Sequence, residues 1–221
     1  MIPVAVLTVA KAPVPGLEKT RLAAAVGDEA AADAAAAALL DTLDAVAGAP
    51  VAARVVALTG ALELASRGAE LRSRLRDFTV IEQRGDGFAN RLANAHADAS
   101  AAGAGLPVLQ LGMDTPQVTS ELIAECATAL LDADAVLGMA RDGGWWVLGV
   151  SAPDMAECLR DVPMSRSDTG AVTLRALQDT GLDVRLVAEL SDVDTIDDAD
   201  AVRRECPPGS RFHRLTLTRG V

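Results

Sequence analysis

The sequence predicts an α/β fold: one mostly parallel sheet with helices on both faces, in a single domain. Three observations carry this. Strand-length apolar runs alternate with helix-length segments along 221 residues. The first run, 1–10, is apolar almost throughout, as in a strand buried on both faces. Half of the residues are hydrophobic, enough for a large core at a length that suits one domain.

Taken in order, 1–10 is the first strand. Segment 11–22 holds two prolines and a glycine and reads as a loop. The alanine-rich stretch 28–47 is a helix and the valine-rich 51–59 a strand. A helix is expected at 61–76, a short strand at 78–82, a helix at 87–102 and a strand at 106–111. The turn Gly112-Met113-Asp114-Thr115-Pro116 leads to a helix at 119–131. Strands at 133–140 and 145–150 flank the turn Arg141-Asp142-Gly143-Gly144. A helix at 169–180, a strand at 184–187 and a helix running to 204, N-capped by Thr195, complete the domain, 1–206. Residues 207–221 form a C-terminal tail, loosely packed or added as an edge.

Composition narrows the function. No apolar run approaches the roughly 20 residues of a membrane span, and no basic segment precedes the first strand, so neither a membrane span nor a signal peptide is expected. Cys126, Cys158 and Cys206 lie far apart, which suits reduced thiols in a cytoplasm and argues against a zinc site. A formal charge of −11 argues against sequence-independent binding to nucleic acid. Local anion binding remains open. Of 20 basic residues only Lys11 and Lys19 are lysines, and both fall in the first loop. A compact ammonium differs from a planar guanidinium, so these positions suit a need for a point charge.

In α/β sheets ligands bind beyond the carboxyl ends of the strands. The first loop brings Lys11, Lys19, Thr20 and Arg21 there, and Gly16 permits close backbone approach; together with helix-start amides they suit a di- or triphosphate. Neither a Walker loop nor G-x-G-x-x-G is present. Asp114 follows the fourth strand in a tight turn. It is either a Mg²⁺ or Mn²⁺ ligand facing phosphates or a cap for the next helix. In Ser191-Asp192-Val193-Asp194-Thr195, the two aspartates project to one side, and Asp194 is the candidate second ligand; a pure capping cluster is the alternative. The turn before Trp145 and Trp146 offers Asp142 for sugar hydroxyls or as a base. One tryptophan belongs in the core and the other can stack on a sugar or base. Arg91 either reaches a substrate anion or pairs on the surface. His96 and His213 are isolated, and no Ser-His-Asp set is visible, so hydrolase chemistry lacks support.

In order, "KAPVPGLEKTRL", "GDGFANRL", "GMDTP", "RDGGWWVLG" and "DVDTIDDAD" resemble the GT-A-like nucleotide-diphospho-sugar transferases, a poorly characterised family some of whose members are assigned to arsenosugar biosynthesis. The resemblance runs to about Arg204. Nearer functional relatives include 2-phospholactate guanylyltransferase and other small nucleotidyltransferases. It implies a GT-A fold and a nucleotide-sugar donor. Lys11, Lys19 and Arg21 fall on the phosphate loop, Asp114 on the metal aspartate and Asp194 on the second ligand. Asp142, Gly143 and Gly144 fall on the sugar or acceptor turn. Trp145 stands where the family usually has tyrosine, and Met164-Ser165 where tryptophan often precedes serine. A D-x-D at one strand end is missing, since Thr115-Pro116 follows Asp114.

The expected function is metal-dependent glycosyl transfer from a nucleotide-diphospho-sugar to a small acceptor. Mg²⁺ or Mn²⁺ on Asp114 and Asp194, with Lys19 and Arg21, would neutralise the leaving diphosphate. One alternative is a nucleotidyltransferase joining a nucleoside triphosphate to a phosphorylated small molecule; the other is a non-catalytic nucleotide-binding protein.

Overall fold

A computed structural model describes residues 1–17 and 19–219. Its centre is β1 (Ile2–Lys11), whose Val4 to Ala10 are buried on both faces. The apolar run forms a central strand because parallel neighbours and covering helices remove both faces from water. β1 pairs in parallel with β2 (Val51–Thr59) on one side and with β4 (Val108–Leu111) on the other. With β3 (Thr79–Glu82), β5 (Ala135–Met139), β6 (Trp145–Val150) and β7 (Val184–Leu186), the seven-stranded order is β3-β2-β1-β4-β6-β5-β7. Only β6 runs antiparallel, to both of its neighbours.

The chain winds outward from β1 through β2 and β3, then returns to β4 and continues to the other side. Loops after β1 and β4 therefore part in opposite directions and open a crevice at their carboxyl ends, where open α/β sheets bind ligands. α4 (Gly87–Ala102) covers one face together with α6 (Thr169–Asp179) and a 3-10 segment, Pro153–Asp161. α5 (Ser120–Leu130) and α2 (Asp28–Gly48) cover the other. Alanines of α2 are buried along most of its length, which lets the helix lie close to β1 and its neighbours.

Three expectations are corrected. The loop expected over 11–22 ends sooner, because α1 (Thr20–Val26) starts inside it. The helix expected over 61–76 shrinks to α3 (Gly68–Arg74) and a 3-10 turn, Leu75–Asp77. Arg67 adopts φ 52, a left-handed conformation no helix interior tolerates, and its guanidinium grips Asp33 at 2.7 Å. Ser66 N donates to Pro13 O at 2.9 Å, so the preceding residues brace the first loop. Among the described residues the tail adds no strand to the sheet, and part of it is packed. Phe212 is buried against Leu22, Ala34 and Val202, the last from α7 (Ile196–Glu205). Among the described residues no helix is long and apolar enough to cross a membrane.

Candidate active site

The crevice is assembled from four loops. Gly16 takes φ 76, a region open to glycine, and turns the first loop back toward the sheet. Lys11 ends β1; its backbone N–H reaches the Met113 sulfur and its Nζ donates to Leu17 O at 2.9 Å. Lys19 sits at φ 48 just before α1. Because α1 has only seven residues, the positive charge here comes from side chains rather than from a helix terminus.

Lys19 Nζ donates to Asp114 Oδ2 at 2.7 Å, with the lysine side chain only 12% exposed. Burial works against its charge, but the Asp114 carboxylate, helped by Asp192 and Asp194, outweighs that and holds its pKa above the ordinary lysine value. Arg21 Nη1 donates to Asp194 Oδ2 at 2.5 Å across exposed surface. Thr20, expected beside the phosphates, is exposed at the start of α1.

Asp114 is not a helix cap. Thr119 caps α5, its hydroxyl accepting from Leu122 N at 3.2 Å. Segment 188–195 is laid along the strand ends by its own backbone. Leu190 N donates to Met139 O at 3.2 Å, Arg141 N to Leu190 O at 3.0 Å and Val193 N to Asp114 O at 3.1 Å. The last of these bonds locks the two acidic segments together. Thr195 then caps α7 in a capping box with Asp198, which removes Asp198 from the site.

The two aspartates around Val193 divide the work differently from the sequence reading. Asp194, the expected second ligand beside Asp114, is paired with Arg21. Asp192 is the one that feels Asp114. Burial first, then the Asp114 and Asp142 carboxylates, push its carboxyl up to about 6, against a weaker pull from Lys19. The D-x-D spacing could have flagged both residues; pairing Asp194 with Arg21 needed the fold.

Asp142 accepts from Gly144 N at 2.8 Å, so it also closes its own turn. Gly143 is at φ 92, and a Cβ there would lie 1.8 Å from Ser167 O, so the turn is pressed against the loop before α6. The tryptophans split. Trp146 is core, its indole N–H donating to Ala188 O at 2.7 Å. Trp145, half-buried, lines a cavity of about 300 Å³ together with Lys11, Phe88, Arg91 and Asp114.

Arg91 lines the same cavity, with its guanidinium over the Phe88 ring at 5.8 Å, and its buried Nε has no hydrogen-bond partner among the described residues. Two lining residues escaped the sequence reading. Gln83 Nε2 donates to Ala10 O and Ala57 O at 2.8 and 2.9 Å, and Gln110 lies on the cavity floor. Gln83 just after β3 and Gln110 within β4 carry no motif, so only the fold reveals them. A larger cavity of about 750 Å³ beyond Pro116 is lined by Asp41, Asp44, Glu70 and Arg211, which already pair with one another.

Among the described residues no group of three or more His, Cys, Asp or Glu side chains could hold a metal ion unaided. The donor chemistry nevertheless fits Mg²⁺ or Mn²⁺: hard carboxylate oxygens, one of them, on Asp192, raised in pKa first by burial and then by the Asp114 and Asp142 carboxylates. Such ions are commonly held by one or two carboxylates plus phosphate oxygens.

The seven-stranded sheet and its covering helices place the chain in the nucleotide-diphospho-sugar transferase class of folds. Residues 42–166 match a family described as an uncharacterized protein conserved in bacteria (DUF2064), and the chain belongs to that family. A protein provisionally named a nucleotide-diphospho-sugar transferase, from Desulfovibrio desulfuricans G20, superposes with a TM-score of 0.81 at 25% identity, over 98% of this chain and 92% of that one. CMP:2-keto-3-deoxy-manno-octonic acid synthetase, solved with CTP, has a TM-score of 0.57 at 12% identity, covering 91% and 97%. Rv0371c from Mycobacterium tuberculosis H37Rv, in complex with manganese, has 0.56 at 17%, covering 90% and 97%. The last two share the fold. No curated protein matches the sequence.

Proposed function

We propose that the chain is a metal-dependent transferase that takes a glycosyl group from a nucleotide-diphospho-sugar to a small-molecule acceptor. The observation that carries this reading is the Lys19–Asp114 contact at 2.7 Å, beside Asp192 and at the mouth of the cavity holding Trp145. Cations for a diphosphate, carboxylates for a metal and an aromatic face for a sugar or base meet at one crevice. The structural neighbour from Desulfovibrio desulfuricans G20 supports the same class.

In this reading Lys19 and Arg21 bind the diphosphate and stabilise the charge that grows as the glycosyl carbon–oxygen bond breaks. Lys11 adds positive charge at the end of β1. Asp114, with Asp192 or Asp194, would hold Mg²⁺ or Mn²⁺, which when bound supplies further neutralisation of the leaving diphosphate. Arg91, Phe88 and Trp145 orient the bound molecule in the cavity. Asp142, with Gly143 and Gly144 shaping its turn, faces the acceptor and takes the acceptor proton.

One feature favours a second reading, nucleotidyl transfer from a nucleoside triphosphate to a phosphorylated small molecule. Thr115-Pro116 follows Asp114, so the paired aspartates of a D-x-D at one strand end are missing. Incubation with Mn²⁺ and a panel of nucleotide-sugars or nucleoside triphosphates separates the two. Release of nucleoside diphosphate from a nucleotide-sugar is the expected result. Pyrophosphate release from a triphosphate selects the second reading. Binding without turnover of either donor leaves a nucleotide-binding protein and overturns both.

A further inference from the structure

We infer that Lys19 is a resident counter-cation of the carboxylate cluster, so that the site admits a divalent cation only together with a polyphosphate, as a preformed chelate. This rests on the proposed nucleotide–metal site and names the form in which its ligand arrives.

Two of the carboxylates suited to a metal are already in contact with cations of the first loop, and the third, Asp192, faces Asp114. Asp114 holds the Lys19 ammonium at 2.7 Å and Asp194 holds the Arg21 guanidinium at 2.5 Å. The same contacts occupy the two cations suited to phosphate. Lys19 is the tighter of the two locks: its side chain is 12% exposed against 76% for Arg21, and Asp192 also bears on it.

A bare divalent cation entering beside Asp114 meets an ammonium in a poorly solvated place, where like charges repel strongly. It must share the carboxylate or expel Lys19. A bare polyphosphate that draws Lys19 away leaves Asp114 and Asp192 facing each other without compensation. A chelate solves both problems in one exchange. Its metal replaces the ammonium on the carboxylates while its phosphate oxygens replace the carboxylate on the ammonium, and every charge stays paired. A lysine suits this task because a compact ammonium on a flexible stem can swing between two partners, whereas a guanidinium is fixed by its planar fork. By linkage, polyphosphate then raises metal affinity and metal raises polyphosphate affinity by the same factor.

The test compares wild type with Lys19→Met and Lys19→Arg. Binding of Mn²⁺ alone is read from the electron paramagnetic resonance of the free ion. Binding of premixed Mn²⁺–tripolyphosphate, a probe with no base or sugar, is read by calorimetry. Lys19→Met is expected to bind Mn²⁺ alone about tenfold more tightly than wild type and the chelate about tenfold more weakly, within the usual range of coupling between sites. Lys19→Arg, which keeps the charge, is expected to stay near wild type for Mn²⁺ alone. Unchanged or weaker Mn²⁺ binding by Lys19→Met, or an equal gain in Lys19→Arg, overturns the inference. If Lys19→Met shows no cooperative thermal transition, Lys19→Gln takes its place with the same criteria. A gain in Mn²⁺ affinity without chelate binding by any form sustains the role of Lys19 and instead removes the nucleotide reading.

Discussion

Two clusters in this molecule are built from the same kinds of side chain and end differently. Behind α2, Arg211 reaches Asp41, Asp44 and Glu70 at 3.2, 2.5 and 2.7 Å. Asp41, 7% exposed, also accepts the backbone N–H groups of Arg211 and Phe212 at 3.0 and 2.7 Å. One guanidinium with five donors satisfies its carboxylates, and the result ties the C-terminal segment to the core. At the crevice Lys19 pairs with Asp114 and Arg21 with Asp194, while burial and the neighbouring Asp114 and Asp142 carboxylates together raise the Asp192 carboxyl. Paired charge marks a structural knot; the less evenly paired charge of the crevice is what supports its proposed role in binding a ligand.

The largest test of this contrast is Asp41→Ala. Breaking a buried charge pair typically costs about 3–5 kcal/mol, and denaturant unfolding should show that loss while the affinity of the remaining folded protein for nucleotide and Mn²⁺ stays at the wild-type value. A weakened affinity would mean that the knot belongs to the site. The tryptophan pair repeats the contrast on a smaller scale. Trp146→Ala should cost about 3–5 kcal/mol of stability, whereas Trp145→Ala should spare most of it and weaken ligand binding. Trp145 and Trp146 are the only indoles, so the ligand-induced fluorescence change should vanish with Trp145 alone.

Asp114→Asn reads the crevice instead of the knot. It keeps shape but takes from the buried Lys19 ammonium the carboxylate that it meets at 2.7 Å, so stability without ligand should fall, and by less than in Asp41→Ala because Asp192 and Asp194 still bear on Lys19. Metal-dependent nucleotide affinity should fall about 100-fold, equivalent to roughly 2.7 kcal/mol. Calorimetry showing intact metal-dependent binding would detach Asp114 from the site.

How much of this was legible without coordinates follows from where the signals lie. Val51–Thr59, Gly87–Ala102 and Trp145–Val150 were readable to the residue, because apolar period and glycine or proline boundaries are local. Lys19 and Asp114 stand out in the sequence, since each sits in a motif that follows a strand. Their contact spans 95 positions and depends on β1 and β4 being neighbours. The division of Asp192 and Asp194 between Asp114 and Arg21 turns on one backbone bond, Val193 N to Asp114 O. The 61–76 helix failed at Arg67, whose left-handed backbone and ion pair with the distant Asp33 leave no local signal. The tail failed for the same reason: Phe212 looks like an isolated aromatic until α1, α2 and α7 surround it.

The smallest effect sharpens the contrast through pH. Folding raises the Asp192 carboxyl from its ordinary value of 3.8 to about 6, so the native state binds this proton more tightly than the unfolded chain. The ionised form therefore weakens the fold above about pH 6, and the penalty fades as pH falls toward 4. Because Asp192 is partly exposed, solvent screening reduces the effect to on the order of 1–2 kcal/mol. His96 acts in the opposite sense over the same window. Burial pushes its imidazole down to about 4, so the fold loses stability as pH falls from 6.5 through that value. The raw pH profile mixes the two, and the informative quantity is the difference between wild type and Asp192→Asn. That variant should be more stable than wild type at pH 8, and the gap should close by pH 4, as read from denaturant midpoints without metal or nucleotide. Addition of Mn²⁺ with nucleotide should reverse the order at pH 8, because the extra carboxylate then has a cation to meet. A gap that is absent at pH 8, or that persists unchanged at pH 4, would show that the crevice is as well neutralised as the knot around Arg211.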